Sequence, residues 1–168
     1  MRVRKLMTAF VAAGIGAAGW FAAAAQRPVA NGLTFLGEAV TSEQIDLGRA
    51  IYQDHCASCH GVRLEGEPDW RRRKASGRMP APPHDATGHT WHHSDQELFT
   101  FTKSGLGAVL PDYESDMPAF GGLLTDAEIT AVLGFIKSRW PERQRKIQTR
   151  ITAGDGQSHE NNGRLENE

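Results

Sequence analysis

Apolar side chains recur at helical spacing in three separate stretches of this 168-residue chain, and each stretch opens on the same polar signature. In the first, Thr41 and Gln44 are spaced as a capping box, whose two side chains satisfy free amides of a first helical turn. Ile45, Gly48 and Tyr52 follow at i, i+3 and i+7, one stripe of a helix that runs into His55 and the cysteines. In the second, Ser94 and Glu97 repeat the box, and a short helix is expected to about Ser104. Leu98 and Phe101 face inward there, and Gly105 and Gly107 end it. In the third, Thr125 and Glu128 precede Ile129, Val132, Leu133, Ile136 and Trp140, the clearest helical pattern of the chain. Pro141 is expected to kink this helix, with a charged continuation over 142–151 and, from Gly154 onward, the composition of a disordered tail.

Between these stretches the pattern lapses. Residues 61–90 are dominated by Gly, Pro and charge, and 105–124 read as loop. Residues 26–40 read as a linker, broken by Pro28, Asn31, Gly32 and Gly37. Ahead of it lies a leader. Arg2, Arg4 and Lys5 are followed by 20 uncharged residues, Leu6 to Ala25, nine of them Ala and three Gly. A cleaved signal usually has an apolar run of about 7–15 residues before small residues such as Ala22–Ala25, whereas about 20 apolar residues span a bilayer. Residues 1–25 therefore read as a signal peptide or an N-terminal membrane anchor, and both readings send the rest of the chain out of the cytoplasm. The expected division is leader 1–25, linker 26–40, one domain over 41–141, and a charged extension with tail over 142–168.

Charge narrows the function only by exclusion. Without the first 25 residues the chain carries 16 basic and 20 acidic side chains, which lacks the basic footprint of a nucleic-acid binder.

Cys56-Ala57-Ser58-Cys59-His60 is C-x-x-C-H, the attachment signature of c-type haem. Two thiols at this spacing add across the two vinyl groups at one edge of the macrocycle. The next residue then lies beneath the iron and offers its imidazole as the proximal ligand. A thioredoxin-like C-x-x-C is the first rival, but it sits near a βαβ pattern and none is visible. A zinc site is the second. It needs two more ligands, for which His84, His89, His92 and His93 are available, but there is no second cysteine pair.

With these residues in hand, the chain resembles the class I cytochrome c family. Gly48-x-x-x-Tyr52-x-x-x-Cys56-x-x-Cys59-His60-Gly61 is similar to the family's N-terminal helix and haem site. Met117-Pro118-Ala119-Phe120, then Leu124-Thr125-Asp126-Ala127-Glu128-Ile129, is similar to its distal-ligand loop and C-terminal helix. The resemblance covers roughly residues 41–140. It implies an all-α fold with crossed N- and C-terminal helices around one covalently bound haem, here with a long loop insertion. It also implies close backbone approach at Gly48 and packing of Tyr52 on Val132 and Phe135. A generic helical core would bury the same residues without that closeness.

The resemblance further implies haem c held by Cys56, Cys59 and His60, with Tyr52 also among the cofactor-binding residues. Met117 is favoured as the distal ligand over Met79, which shares the Met-Pro-Ala pattern, because the family's distal wall is the loop before the last helix. His89, His92 and His93 are rival ligands. The Pro82 carbonyl is the expected acceptor of the second ring proton of His60, although the family often has an apolar residue where His84 stands. Trp70 and Trp91 are candidates to line the pocket, and the run Arg71–Lys74 to meet the haem carboxylates. The implied function is one-electron transfer between redox protein partners by a monomeric periplasmic carrier, with no enzymatic activity. Two alternatives remain: a haem subunit or docking partner of a dehydrogenase, or a peroxidase or ligand-binding haem protein whose sixth site opens.

Overall fold

The computed structural model describes residues 32–165, with side chains up to residue 157; the leader at 1–25 lies outside the described residues. In chain order the elements are β1 (Thr34–Phe35), β2 (Glu38–Ala39), α1 (Ser42–His55), α2 (Ala57–His60), α3 (Asp95–Ser104), α4 (Asp126–Ser138) and α5 (Glu142–Leu165), with short 3₁₀ turns at Thr90–His92 and Leu106–Ala108. The architecture is helical apart from the one small ribbon. All three capping boxes form: the hydroxyls of Thr41, Ser94 and Thr125 accept from the third amide of their helices, and Gln44, Glu97 and Glu128 return the bond.

The core lies where α1 meets α4. Tyr52, Ile129, Val132 and Ala131 are almost wholly buried there. A Cβ placed on Gly48 would overlap the carbonyl oxygen of Ala131 and crowd Phe135. Only a residue without a side chain lets the two backbones come this close. One turn later the rings of Tyr52 and Phe135 meet with centroids 5.6 Å apart. On α3 the buried residues are Asp95, Leu98 and Thr102. Phe101, expected to face inward, is half-buried and stands edge-on to His93.

Two of the expected boundaries need correction. Residues 32–40, read as the end of a linker, form an antiparallel hairpin in which Thr34 pairs with Ala39 and Phe35 with Glu38. Leu36 and Gly37 take positive φ of 50° and 83° at its tip, the geometry of a two-residue turn matched to strand twist. Leu33, Phe35 and Val40 bury against the helical core, Phe35 to 1% exposure. Likewise α5 continues to Leu165, past Gly154 where a disordered tail was expected. Gly costs a helix only about 1 kcal/mol, and Asp155 is tied back to α3 by the hydroxyl of Ser94 at 2.7 Å.

Pro141 separates two helices rather than kinking one. α4 stops at Ser138, with Arg139 as its cap, and Pro141 precedes the first residue of α5, where a missing N–H costs nothing. A buried polar cluster then joins α5 to the rest. The ammonium of Lys137 lies 2.8 Å from the carboxylate of Asp95, both at 3% exposure or less. The amide of Gln148 donates to the same carboxylate at 2.6 Å, and the backbone N–H of Leu36 does so at 3.0 Å. Among the described residues no helix is long and apolar enough to cross a membrane.

Candidate functional site

Cys56 marks the break between α1 and α2. Its N–H still bonds Tyr52 O at 2.9 Å, while its own carbonyl accepts from the amides of Cys59 and His60 at 3.2 and 2.9 Å. The motif is thus a single helical turn, and positions i, i+3 and i+4 share one face. The burial is graded: Cys59 is exposed, Cys56 half-buried, and His60 only 6% exposed. Tyr52 closes the turn from behind. Its hydroxyl donates to the carbonyls of His60 and Gly61 at 3.2 and 2.9 Å.

The Nδ1 of His60 lies 2.8 Å from the carbonyl oxygen of Pro82. A carbonyl only accepts, so Nδ1 carries the proton and Nε2 presents a bare lone pair, the form that ligates a metal. Burial holds the imidazole pKa below its ordinary value, against the opposing effects of Pro82 and Glu67. The ring is therefore neutral at neutral pH.

Pro82 is placed by a tight loop. Gly66 N–H donates to His60 O at 2.8 Å, and Glu67 and Ala81 exchange bonds of 2.9 and 2.6 Å. A Cβ on Gly66 would overlap the Pro82–Pro83 backbone, and one on Gly88 the Pro83 carbonyl.

The cysteines form no disulfide. Burial, then the neighbouring Cys59, pushes the Cys56 thiol up to about 11. A redox-active C-x-x-C needs the opposite, a thiol lowered toward neutral pH. Among the described residues no three His, Cys, Asp or Glu side chains are grouped to hold a metal ion, so a zinc site lacks its remaining ligands.

Met117 is half-buried against the hydrophobic core, whereas Met79, also half-buried, lies outside that cluster. The loop carrying Met117 is clipped to the end of α3 by Phe120 N–H to Thr102 O and Gly121 N–H to Lys103 O, at 3.0 and 2.8 Å. Its Asp116 pairs with Arg78 at 2.6 Å and Lys74 at 3.5 Å.

Three members of the basic run have protein partners. Arg71 stacks on Trp70, Arg73 bonds the Gly77 carbonyl, and Lys74 bridges Glu67 and Asp116. The ring of His89 stacks on the same Trp70, with centroids 5.5 Å apart. Trp91 packs on the core and buries its indole N–H without a protein acceptor.

A family model described as cytochrome C oxidase, cbb3-type, subunit III matches residues 43–136. The chain belongs to that family. No curated protein and no solved structure matches it. The cbb3-type domain is a class I c-type cytochrome of all-α fold, which implies haem c and haem-based electron transfer. The matched segment runs from the first turn of α1 to the last of α4. It includes the cysteines, His60, the Pro82 loop and Met117, and leaves out the hairpin and α5.

The side chains of this cbb3-type domain fit that group. Two unpaired thiols precede an imidazole whose Nδ1 is already committed. The buried indole N–H of Trp91 has no protein acceptor, a costly arrangement unless another group accepts from it, and haem brings carboxylates. Sequence reasoning missed one neighbour of the site. The ring of His84, noted in the sequence only as an available zinc ligand and as a departure from the family's apolar residue, lies against that of His60 with centroids 3.9 Å apart.

Proposed function

We propose that this chain is a single-haem c-type cytochrome that passes one electron at a time between redox proteins of a periplasmic respiratory chain. The observation that carries the reading is the His60 Nδ1 bond to Pro82 O, which leaves Nε2 free directly after two unpaired thiols. Haem bound here would supply reversible one-electron chemistry at iron. Cys56 and Cys59 would attach it as thioethers, His60 would ligate one side, and Met117 would come from the loop ahead of α4. A thioether ligand and burial both raise the potential. With His60 and Met117 both serving as its ligands, no place would remain for a substrate, which favours a carrier over an enzyme. Contacts with donor and acceptor would be small and short-lived, as electron-transfer encounters are, and would suit a monomer. The leader would deliver the domain to the periplasm, either released or tethered through residues 6–25. The family description also favours a second reading, a subunit of an oxidase, which co-purification of oxidase subunits would support.

The test is the matured protein. Its mass should exceed the polypeptide by one haem, and the Cys56→Ala/Cys59→Ala double variant should lose the covalent colour. Met117→Ala should abolish the methionine–iron absorption band at the red edge and open the ferric protein to cyanide. A colourless product, or a wild-type ferric protein that is high-spin and takes cyanide readily, overturns the carrier reading.

A further inference from the structure

His84 stacks on His60 as a flat neighbour, with ring planes 23° apart and centroids 3.9 Å apart. It is anchored from three directions. Its N–H donates to Leu64 O at 2.8 Å, and its carbonyl accepts from the indole N–H of Trp140 at 2.8 Å. Its Nδ1 lies 2.9 Å from the hydroxyl of Thr90. Thr90 gives its single hydroxyl proton to Pro83 O at 3.3 Å, so its oxygen accepts from His84 Nδ1–H, and the tautomer is set. Burial, then the nearby His60 and His89, keeps this imidazole uncharged. The ring cannot swing away without giving up the Thr90 bond, and the loop behind it has no slack at Gly66 or Gly88.

We propose that His84 is a positioning residue for the proximal imidazole, fixing the plane of the His60 ring about its bond to iron. The inference rests on the reading of His60 as an axial ligand. The Pro82 bond pins Nδ1 and sets the mean orientation of the His60 ring. It resists rocking of the ring out of that plane only weakly, and a second ring lying flat at van der Waals distance blocks the rocking from one face. The plane of an axial imidazole decides which iron d orbitals it overlaps, and hence how unpaired spin spreads over the four pyrroles in the ferric state. An aliphatic side chain at position 84 would fill the space but offer no flat face.

The experiment is proton NMR of the haem methyl groups, with electron paramagnetic resonance, on the ferric holoprotein. The variants are His84→Leu, His84→Phe, Thr90→Val and Thr90→Ser. His84→Leu and Thr90→Val should shift the methyl resonances and alter their order. His84→Phe, which keeps a flat ring, and Thr90→Ser, which keeps the hydroxyl, should preserve the wild-type order. If His84→Leu binds haem and its methyl pattern equals wild type, the proposal is overturned while the haem reading stands. Should His84→Leu not fold, the Thr90 pair decides: identical patterns in Thr90→Val and Thr90→Ser overturn it. A wild-type protein that attaches no haem fails at the earlier step, which distinguishes the two failures.

Discussion

Gly48 and Tyr52 show how single atoms set the geometry of the motif. Gly48→Ala adds one methyl group where the Ala131 carbonyl already stands, and backbone has no rotamer by which to yield. Overpacking of this kind costs about 1–3 kcal/mol. The urea midpoint of Gly48→Ala should drop accordingly, and haem uptake should fall with it as α1 is pushed off α4. Tyr52→Phe keeps the ring stack on Phe135 but removes the donor shared by His60 O and Gly61 O. Both carbonyls keep a backbone donor, Gly66 N–H and Leu64 N–H, so the loss should be that of an ordinary hydrogen bond, about 0.5–1.5 kcal/mol, which chemical denaturation should report with an unchanged m-value. The close approach at Gly48 was legible through the family resemblance, which puts a glycine where the N- and C-terminal helices cross. The tyrosine's hydroxyl was not, since periodicity assigns a side chain to a face and is silent about where its polar tip lands.

At the scale of elements, the caps and the apolar stripes of α1, α3 and α4 are local features, and so the sequence displays them directly. The hairpin is local too, yet two residues per strand are too few to show an alternating pattern. The Asp95–Lys137–Gln148 cluster was hidden for the opposite reason: its partners lie 42 and 53 positions apart along the chain. Removing one member of a buried ion pair strands the other, at a cost of about 3–5 kcal/mol. Asp95→Asn and Lys137→Met should each destabilise the protein by that order. The double variant Asp95→Asn/Lys137→Met should cost clearly less than the sum, as a double-mutant cycle of urea unfolding would reveal. Additive losses would show that the two groups do not act as a pair.

Across the whole molecule, the insertion after the haem motif is the part least legible in advance, because Gly, Pro and charge carry no period. It links the two walls of the site. Pro82 at its end accepts from His60, while Lys74 and Arg78 in its middle hold Asp116, the residue before Met117. The Arg78 bond holds the Asp116 carboxyl below its usual range, and the Ala81 amide does the same for Glu67. Lowered carboxyl pKa values stabilise the fold above the unfolded value of about 4, and that stability is lost as pH falls through the folded values. Exposed pairs are screened by solvent and weak, so Asp116→Asn should raise amide exchange over 110–117 only modestly. High salt or acid should mimic it in wild type; exchange that ignores all three would show that the clasp does not hold the loop. The carboxylate of Asp95 has a different reach. It receives Leu36 from the hairpin and Gln148 from α5, and both of these lie beyond the segment that the family defines. The two flanks of the chain are therefore moored to one post, and a graft of this module into another protein has to carry both extensions or redesign the mooring.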